Sequence, residues 1–147
     1  MPYPNEDTPL LLLLVLAERH VVNALQGHLV EAGFSDHRAV HHTVMAHVTF
    51  DGIRLTELAK RAGVTKQAMS ELVSDLVALG YLETRPDPLD GRAKLITFAA
   101  RGADAVRAAN RTFEDLDRAL KNQLGPRALR DLRRGLLGVV DATLSAS

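Results

Sequence analysis

Between Leu55 and Leu79 the hydrophobic positions recur with helical spacing in two short blocks. The first block places Leu58, Ala59 and Ala62 on one face. The second repeats apolar residues at i, i+3, i+4 and i+7, namely Met69, Leu72, Val73 and Leu76. Because Gly63 can take the positive φ of a sharp turn between them, the pattern predicts a helix-turn-helix. Thr56 and Thr65 are the predicted N-caps of its two helices.

A polar row remains on the outer face of the second helix. Its members are Thr65, Lys66, Gln67, Ser70, Glu71 and Ser74. The row starts at the N-terminal end, where a recognition helix contacts base edges in the major groove. Gln67 has the donor and acceptor for a bidentate contact to adenine, and Lys66 can reach guanine or a phosphate. The alternative is that any solvated helix carries a polar face.

A β-hairpin follows the second helix. Residues 81–85 alternate in period two, residues 86–91 are rich in turn formers, and 94–98 form a returning strand. This pattern predicts a wing with a long, charged tip, from which Arg92 would enter the minor groove. Arg85 and Lys94 are predicted phosphate contacts. Alternatively, Arg92 pairs with a tip aspartate and only holds the tip in shape.

The two ends of the chain predict further helices. A start signal at residues 7–9 predicts a first helix with Thr8 as its N-cap and Pro9 at the first helical position, and Gly33 is its expected stop. Its opening, residues 10–17, is apolar all round and is shorter than the roughly 20 residues that a bilayer requires. Apolar residues at helical three-and-four spacing predict two more helices, one on each side of a Gly125-Pro126 break. The apolar positions are Val106, Ala109, Phe113, Leu116, Leu120 and Leu124 before the break, and Leu129, Leu132, Leu136, Val140 and Leu144 after it.

These terminal helices carry more apolar surface than a winged helix can cover. We therefore predict a two-fold homodimer, with a monomeric core as the alternative. The matching DNA target is an inverted repeat whose half-sites lie about 10 base pairs apart.

Residues 55 to 102 resemble the winged helix of the MarR family of bacterial transcriptional regulators, above all in the wing sequence Asp87-Pro88-x-Asp90-Gly91-Arg92. The resemblance implies that Thr65, Lys66, Gln67 and Ser70 face the major groove, that Arg92 enters the minor groove and that Asp90 braces the wing. Two residues depart from the family pattern. Many members have a basic or amide residue at the position of Glu71, and many have Thr at that of Ala99.

The predicted fold is mainly α (α+β): a single MarR-like domain over 1–147, with a winged-helix lobe at about 36–101. Helices at about 8–33 and 102–145 form the predicted dimerisation lobe. The predicted function is a ligand-responsive repressor that binds double-stranded DNA. In the resembling family a small organic effector binds between the two lobes and changes operator affinity. Candidate lining residues are His20, His41, Met45 and Phe50.

Composition adds limits to this interpretation. There is no cysteine, so disulfides and thiol sensing are excluded. Acidic rather than basic residues precede the leucine-rich stretch, which argues against a secretion signal and predicts a cytoplasmic protein without a membrane partner. Net charge is zero, but residues 1–53 hold two of the 18 basic and six of the 18 acidic side chains, leaving 16 and 12 for the rest. The basic excess therefore lies in the part predicted to meet phosphate.

The sequence offers weaker support for a metal site, an enzyme or a protein-interaction module. His37 and His41 have the i, i+4 spacing of a zinc pair, but no tight ligand motif is formed, so we predict no metal and no cofactor. An enzyme is not expected, since no paired nucleophile and base or Gly-rich phosphate loop is present. The alternative function is a winged-helix protein–protein interaction module without DNA binding, which Glu71 and the neutral net charge support.

Overall fold

The computed structural model describes residues 4–145 and has six helices and a two-stranded antiparallel sheet in that range. The helices are α1 (Leu10–Glu31), α2 (His41–Met45), α3 (Leu55–Ala62), α4 (Lys66–Ala78), α5 (Ala100–Leu124) and α6 (Pro126–Ser145). The strands are β1 (Leu82–Asp87) and β2 (Asp90–Phe98). The chain divides into two compact units, the first ending at Asn110 and the second beginning at Arg111.

The core of the first unit is built from the apolar faces that the periodicity predicted. Leu58 and Ala59 of α3 are buried with Met69, Val73 and Leu76 of α4. Other elements complete the same cluster, namely α1 through Leu25 and Leu29, α2 through Val44, the sheet through Leu82 and Ile96, and α5 through Ala105 and Ala108. The helix-turn-helix therefore rests on a continuous hydrophobic base.

The turn between α3 and α4 has the predicted glycine geometry. Gly63 ends α3 in the left-handed region, with φ of 67°. The Val64 amide then donates to the Ala59 carbonyl at 3.1 Å, which satisfies an otherwise orphaned helix-end acceptor. This tight closure brings α4 directly after α3.

Two predicted caps are wrong. α1 begins at Leu10 after Pro9, and the Thr8 hydroxyl accepts from the Asn5 amide instead of capping the helix. α3 begins at Leu55 after Arg54 without a side-chain cap, so Thr56 already lies inside the helix. In both cases the helix boundary lies one or two residues from the predicted cap.

α1 is 22 residues long and only partly covered. Its Leu25 and Leu29 are buried, whereas Leu10, Leu11 and Val15 are 64%, 75% and 53% exposed. By length and composition α1 is also the one helix within 4–145 that is able to cross a membrane. The length argument from residues 10–17 therefore does not hold for the whole helix, which continues to Glu31.

In the second unit, Gly125 and Pro126 end α5 and start α6 as predicted. Leu129 is buried, and Arg133 of α6 pairs with Asp117 of α5. Leu132, Leu136 and Leu137 stay 44%, 38% and 64% exposed. This unit therefore also presents leucines to its surroundings.

Candidate nucleic-acid interface

The polar row of α4 lies on the surface. Thr65, Lys66, Gln67, Glu71 and Ser74 are exposed, and Ser70 is partly buried. Thr65 caps the helix as predicted, since its hydroxyl accepts from the Ala68 amide at 3.1 Å. Met69, Val73 and Leu76 anchor the opposite face in the core. The row is thus presented outward from a fixed helix.

The wing has longer strands and a shorter tip than predicted. β1 extends to Asp87 and β2 starts at Asp90, so only Pro88 and Leu89 lie between them. The register then shifts, because Asp87 is opposite Asp90 whereas Pro86 is opposite Lys94. Residues 91–93 therefore bulge from the ladder, and Arg92 lies in the middle of this bulge.

Two backbone bonds to aspartates order the tip. The Leu89 amide donates to Asp87 Oδ1 at 2.9 Å, and the Arg92 amide donates to Asp90 Oδ1 at 3.1 Å. Asp90 therefore contacts the backbone at Arg92, and its role in bracing the wing for DNA stays a prediction. The Arg92 side chain is exposed and forms no ion pair within residues 4–145. Lys94 is also exposed.

An arginine that sequence reasoning missed holds the wing. Arg54, just before α3, donates to Asp87 Oδ2 from Nε at 2.7 Å and from Nη2 at 2.5 Å. Asp87 is 6% exposed, and its pKa is lowered by the Leu89 amide and then by Arg54. No local sequence pattern indicates this pair, since its partners are 33 residues apart.

Arg85, a predicted phosphate contact, has a contact within the protein. Its guanidinium donates to the carbonyl oxygen of Asp51. The side chain is still exposed, so its role toward phosphate stays a prediction.

The rear of α4 is tied to α2 through Asp75. The Arg38 amide donates to His41 Nδ1 at 3.1 Å, which leaves the proton of the neutral imidazole on Nε2. His41 Nε2 then donates to Asp75 Oδ2 at 2.9 Å, and Arg38 pairs with the same oxygen. Both bonds lower the pKa of Asp75, and the bond from His41 has the larger effect. The fully buried His41 therefore couples α2 to α4.

A second network joins the loop before α2 to the start of α5. Arg101 donates from Nη1 to Asp36 Oδ2 and from Nη2 to Asp36 Oδ1, both at 2.8 Å. Tyr81 donates its hydroxyl to Asp36 at 2.6 Å, and the Arg101 guanidinium lies 4.5 Å from the centre of the Tyr81 ring. The pKa of Asp36 is lowered by Arg101 and then by Tyr81, whereas burial raises that of Tyr81.

Two histidines beside this network are held neutral by burial. The His37 ring lies 4.9 Å from that of His42 and 5.3 Å from that of His41. Burial lowers the pKa of His37 to about 4 and also lowers that of His42. His37 Nδ1 and both ring nitrogens of His42 have no hydrogen-bond partner among the described atoms. Within residues 4–145 no group of three or more His, Asp or Glu side chains has the arrangement of a metal site.

The four residues predicted to line an effector pocket have different environments. His41 is fully buried against Asp75, and Met45 packs against the core one turn later. Phe50 is 63% exposed and lies 4.9 Å from the Phe98 ring, while His20 is exposed on α1. Their shared role in a pocket stays a prediction.

The sequence profile of the MarR family matches residues 32–93, which contain the helix-turn-helix and most of the wing. An HTH-type transcriptional regulator of Mycobacterium leprae, itself uncharacterised, is 33% identical over 58 residues, or 40% of this chain and 41% of that protein. The chain thus spans about two fifths of the length of this relative. The HTH-type transcriptional regulator PetP of Rhodobacter capsulatus is 26% identical over 110 residues, covering 74% of this chain and 66% of PetP.

Solved structures extend the similarity to nearly the whole chain. The reduced form of MarR from E. coli is 25% identical, covers 92% of this chain and 98% of its own, and has a TM-score of 0.73. A mutant MarR from E. coli in complex with operator DNA is 24% identical, covers 95% and 99%, and has a TM-score of 0.70. In its sequence match over residues 32–93, its helix order and its winged-helix geometry, the chain is similar to the MarR family.

Proposed function

We propose that this protein is a sequence-specific transcriptional regulator that binds double-stranded DNA as a homodimer. The observation that carries this proposal is that α4 presents an outward polar row and the following wing presents an exposed Arg92. A recognition helix and a wing of this kind suit the major groove and the neighbouring minor groove of one duplex. Operator DNA bound to the similar E. coli protein supports the same role here.

Each polar group of the row and of the wing has a role in this proposal. Gln67 reads adenine, Lys66 contacts guanine or phosphate, and Thr65, Ser70 and Ser74 donate or accept at base edges or the backbone. Glu71 accepts from a cytosine amino group or orients a neighbouring side chain. Arg92 enters the minor groove, and Arg85 and Lys94 contact phosphates beside it.

The dimer is supported by exposed leucines at both ends of the chain. α1 exposes Leu10 and Leu11, and α6 exposes Leu137. A protein partner suits α1 better than lipid does, because Glu18 and Arg19 lie near the middle of the helix and charges there are costly inside a bilayer. Two copies related by a two-fold axis would then bind an inverted repeat.

We further propose repression that a small organic ligand relieves, in the cytoplasm where the DNA is accessible. The coupling of His41 to Asp75 supports this, because a ligand that displaces α2 would also move α4. Such a ligand needs only a difference in affinity between the DNA-binding and non-binding arrangements, typically about 1 to 3 kcal/mol.

Fluorescence anisotropy with the duplex upstream of the protein's own gene tests DNA binding. We expect affinity to fall steeply with salt, as phosphate contacts release counterions, and to exceed that for a scrambled duplex. Equal, weak binding to both duplexes would favour the protein-interaction alternative.

A further inference from the structure

The segment before α3 contacts the wing at four consecutive residues, 51–54, which we name the wing clamp. The Asp51 carbonyl accepts from Arg85 of β1. Ile53 forms a bridge with Ile96 of β2, donating at 2.9 Å and accepting at 2.8 Å. Arg54 completes the clamp through Asp87. The wing is therefore attached along its length to the chain that leads directly into the helix-turn-helix.

Gly52 is required in this clamp for both conformation and space. Its φ is +94°, which favours glycine. A Cβ at this position would lie 2.9 Å from Leu95 Cβ, closer than side-chain atoms normally approach. The backbone of the clamp therefore packs directly onto β2, which leaves little freedom for the root of the wing.

Arg54 is the clamp residue that acts nearest to the wing tip. Its Nε and Nη2 both reach Asp87 Oδ2, while Asp87 Oδ1 accepts the Leu89 amide. Its Nη2 also lies 3.9 Å from Asp90 Oδ2, and Asp90 accepts the Arg92 amide. One guanidinium thus holds both aspartates that order the backbone around Arg92.

This arrangement leaves Arg92 available for another partner. Asp87 already accepts hydrogen bonds from Arg54 and the Leu89 amide. Its carboxylate is therefore not available for an internal ion pair with Arg92. We propose that Arg54 is a positioning residue that holds the wing, and with it Arg92, in the orientation that enters the minor groove. Arg54 itself does not contact DNA. This inference rests on the proposed DNA binding.

A double-mutant cycle between Arg54 and Arg92 tests the inference, with affinity for one operator duplex as the measured quantity. We expect Arg54→Ala to lower affinity about tenfold, the order of one well-placed contact, and no more than Arg92→Ala does. In the Arg92→Ala background, Arg54→Ala is expected to have almost no further effect. Fully additive losses in the cycle would overturn the inference.

Salt dependence separates positioning from direct phosphate contact. If Arg54 bound a phosphate, Arg54→Ala in the Arg92→Ala background would reduce the slope of log affinity against log salt by about 0.9. We expect the slope to stay unchanged in that background. The matched control is Arg61→Ala. Arg61 lies on α3, close to Arg54 in sequence, and its side chain is 48% exposed against 46% for Arg54. It pairs with Glu57 rather than with the wing.

Hydrogen exchange provides a readout that does not depend on DNA. We expect Arg54→Ala to speed amide exchange in residues 89–94, with little change in α4, and Arg61→Ala to change neither. Unchanged wing exchange in Arg54→Ala would overturn the bracing role. A further outcome is that wild-type protein binds no duplex while Arg54→Ala still speeds amide exchange in the wing. In that case the proposed function would fail and the bracing contact would stand.

A second variant covers the case in which Arg54→Ala does not fold. Asp87→Asn keeps an oxygen for the Leu89 amide but removes the charge that Arg54 binds. It is expected to reduce operator affinity in the same way and to lose its effect in the Arg92→Ala background. An affinity equal to that of wild type would contradict the proposal.

Discussion

Thr65 has two roles in this account, as the cap of α4 and as a member of the polar row. Replacing it with alanine removes the acceptor for the Ala68 amide, so Thr65→Ala is expected to lower the free energy of unfolding by about 1 kcal/mol. Urea denaturation measures this loss. Thr56→Ala is the matched control and is expected to stay within about 0.5 kcal/mol of wild type. Equal losses in both variants would refute the cap assignment.

Gln67 and Arg92 are expected to differ in how they affect DNA binding. Gln67→Ala should relax preference at one base pair, costing roughly 1 to 3 kcal/mol there, because a bidentate base contact is lost. Arg92→Ala should weaken binding to all sequences and lower the salt slope by about 1. Anisotropy against a panel of single-base-pair variants measures both effects. Uniform weakening by Gln67→Ala would remove it from base reading.

Local sequence patterns predicted single residues where their partners lie nearby in the chain. Gly63 and Thr65 take their expected roles because a turn and a cap depend on the next few residues. The contact of Arg54 with the wing was not predicted, because its partner Asp87 is 33 residues away. Arg92 is much closer to Asp87 in sequence and was therefore the arginine for which pairing with a tip aspartate was the alternative. Side-chain pairs across the fold require the tertiary structure.

Two helix glycines are expected to respond oppositely to the same substitution. A Cβ at the buried Gly102 of α5 would overlap the Tyr81 carbonyl, so Gly102→Ala should destabilise the first unit by 2 kcal/mol or more, on the order of other overpacking changes. A Cβ at Gly135 of α6 meets nothing within 4 Å, so Gly135→Ala should stabilise by about 0.5 to 1 kcal/mol. Thermal unfolding of both variants decides the signs. A stable Gly102→Ala protein would contradict the close packing of α5 on the Tyr81 backbone.

The histidines around α2 make the first unit sensitive to acid. Burial lowers the pKa of His37 from 6.5 to about 4, so its contribution to stability is complete above pH 6.5 and is lost as pH falls toward 4. His42 shifts in the same direction. The pKa values of Asp36, Asp75 and Asp87 are lowered from 3.8, so these carboxylates also stabilise the folded state. Their contribution is lost only as the pH falls below 3.8.

Urea denaturation between pH 7.5 and 4.5 measures this effect. We expect the free energy of unfolding to fall by an amount on the order of 2 kcal/mol, since each pKa unit corresponds to about 1.4 kcal/mol. His37→Phe should flatten the decline, because it keeps an aromatic ring but cannot be protonated. His20→Gln is the control, since His20 is exposed on α1. The same decline in His37→Phe as in wild type would exclude His37 as its source.

Periodicity predicted the elements better than their ends. The alternating residues of the wing marked both strands, but each extends further toward the tip than the pattern reached. The reason is that Asp87 and Asp90 bond to nearby amides and close a two-residue turn, whereas residues rich in turn-forming types were expected to form one long tip. Turn-forming residue types do not by themselves give the length of a loop.

At the level of the whole protein, the exposed leucines of α1 predict self-association. Leu11→Glu is expected to shift a micromolar dimer toward monomer in sedimentation equilibrium, because a charge would be buried at the interface. Leu89→Glu is the control, since this wing-tip leucine is 93% exposed and lies outside α1. A wild-type monomer, or recovery of the protein with membranes, would contradict the dimer.

The family resemblance predicted the fold class more fully than composition did. Zero net charge by itself does not favour DNA binding, and only the uneven distribution of charge along the chain indicated a basic part. The amphipathic seams predicted α5 and α6, and Gly125-Pro126 predicted their boundary. The chain's own periodicity did not reveal the surroundings of His20, His41, Met45 and Phe50, because those depend on how separate elements pack.

Selection of bound sequences from a pool of random duplexes most directly tests whether α4 and the wing read DNA. We expect wild-type protein to enrich an inverted repeat with half-sites about 10 base pairs apart, and Gln67→Ala to lose preference at one symmetric position in each half-site. Absence of any enriched sequence, or enrichment that is identical for wild type, Gln67→Ala and Arg92→Ala, would contradict this account of the protein.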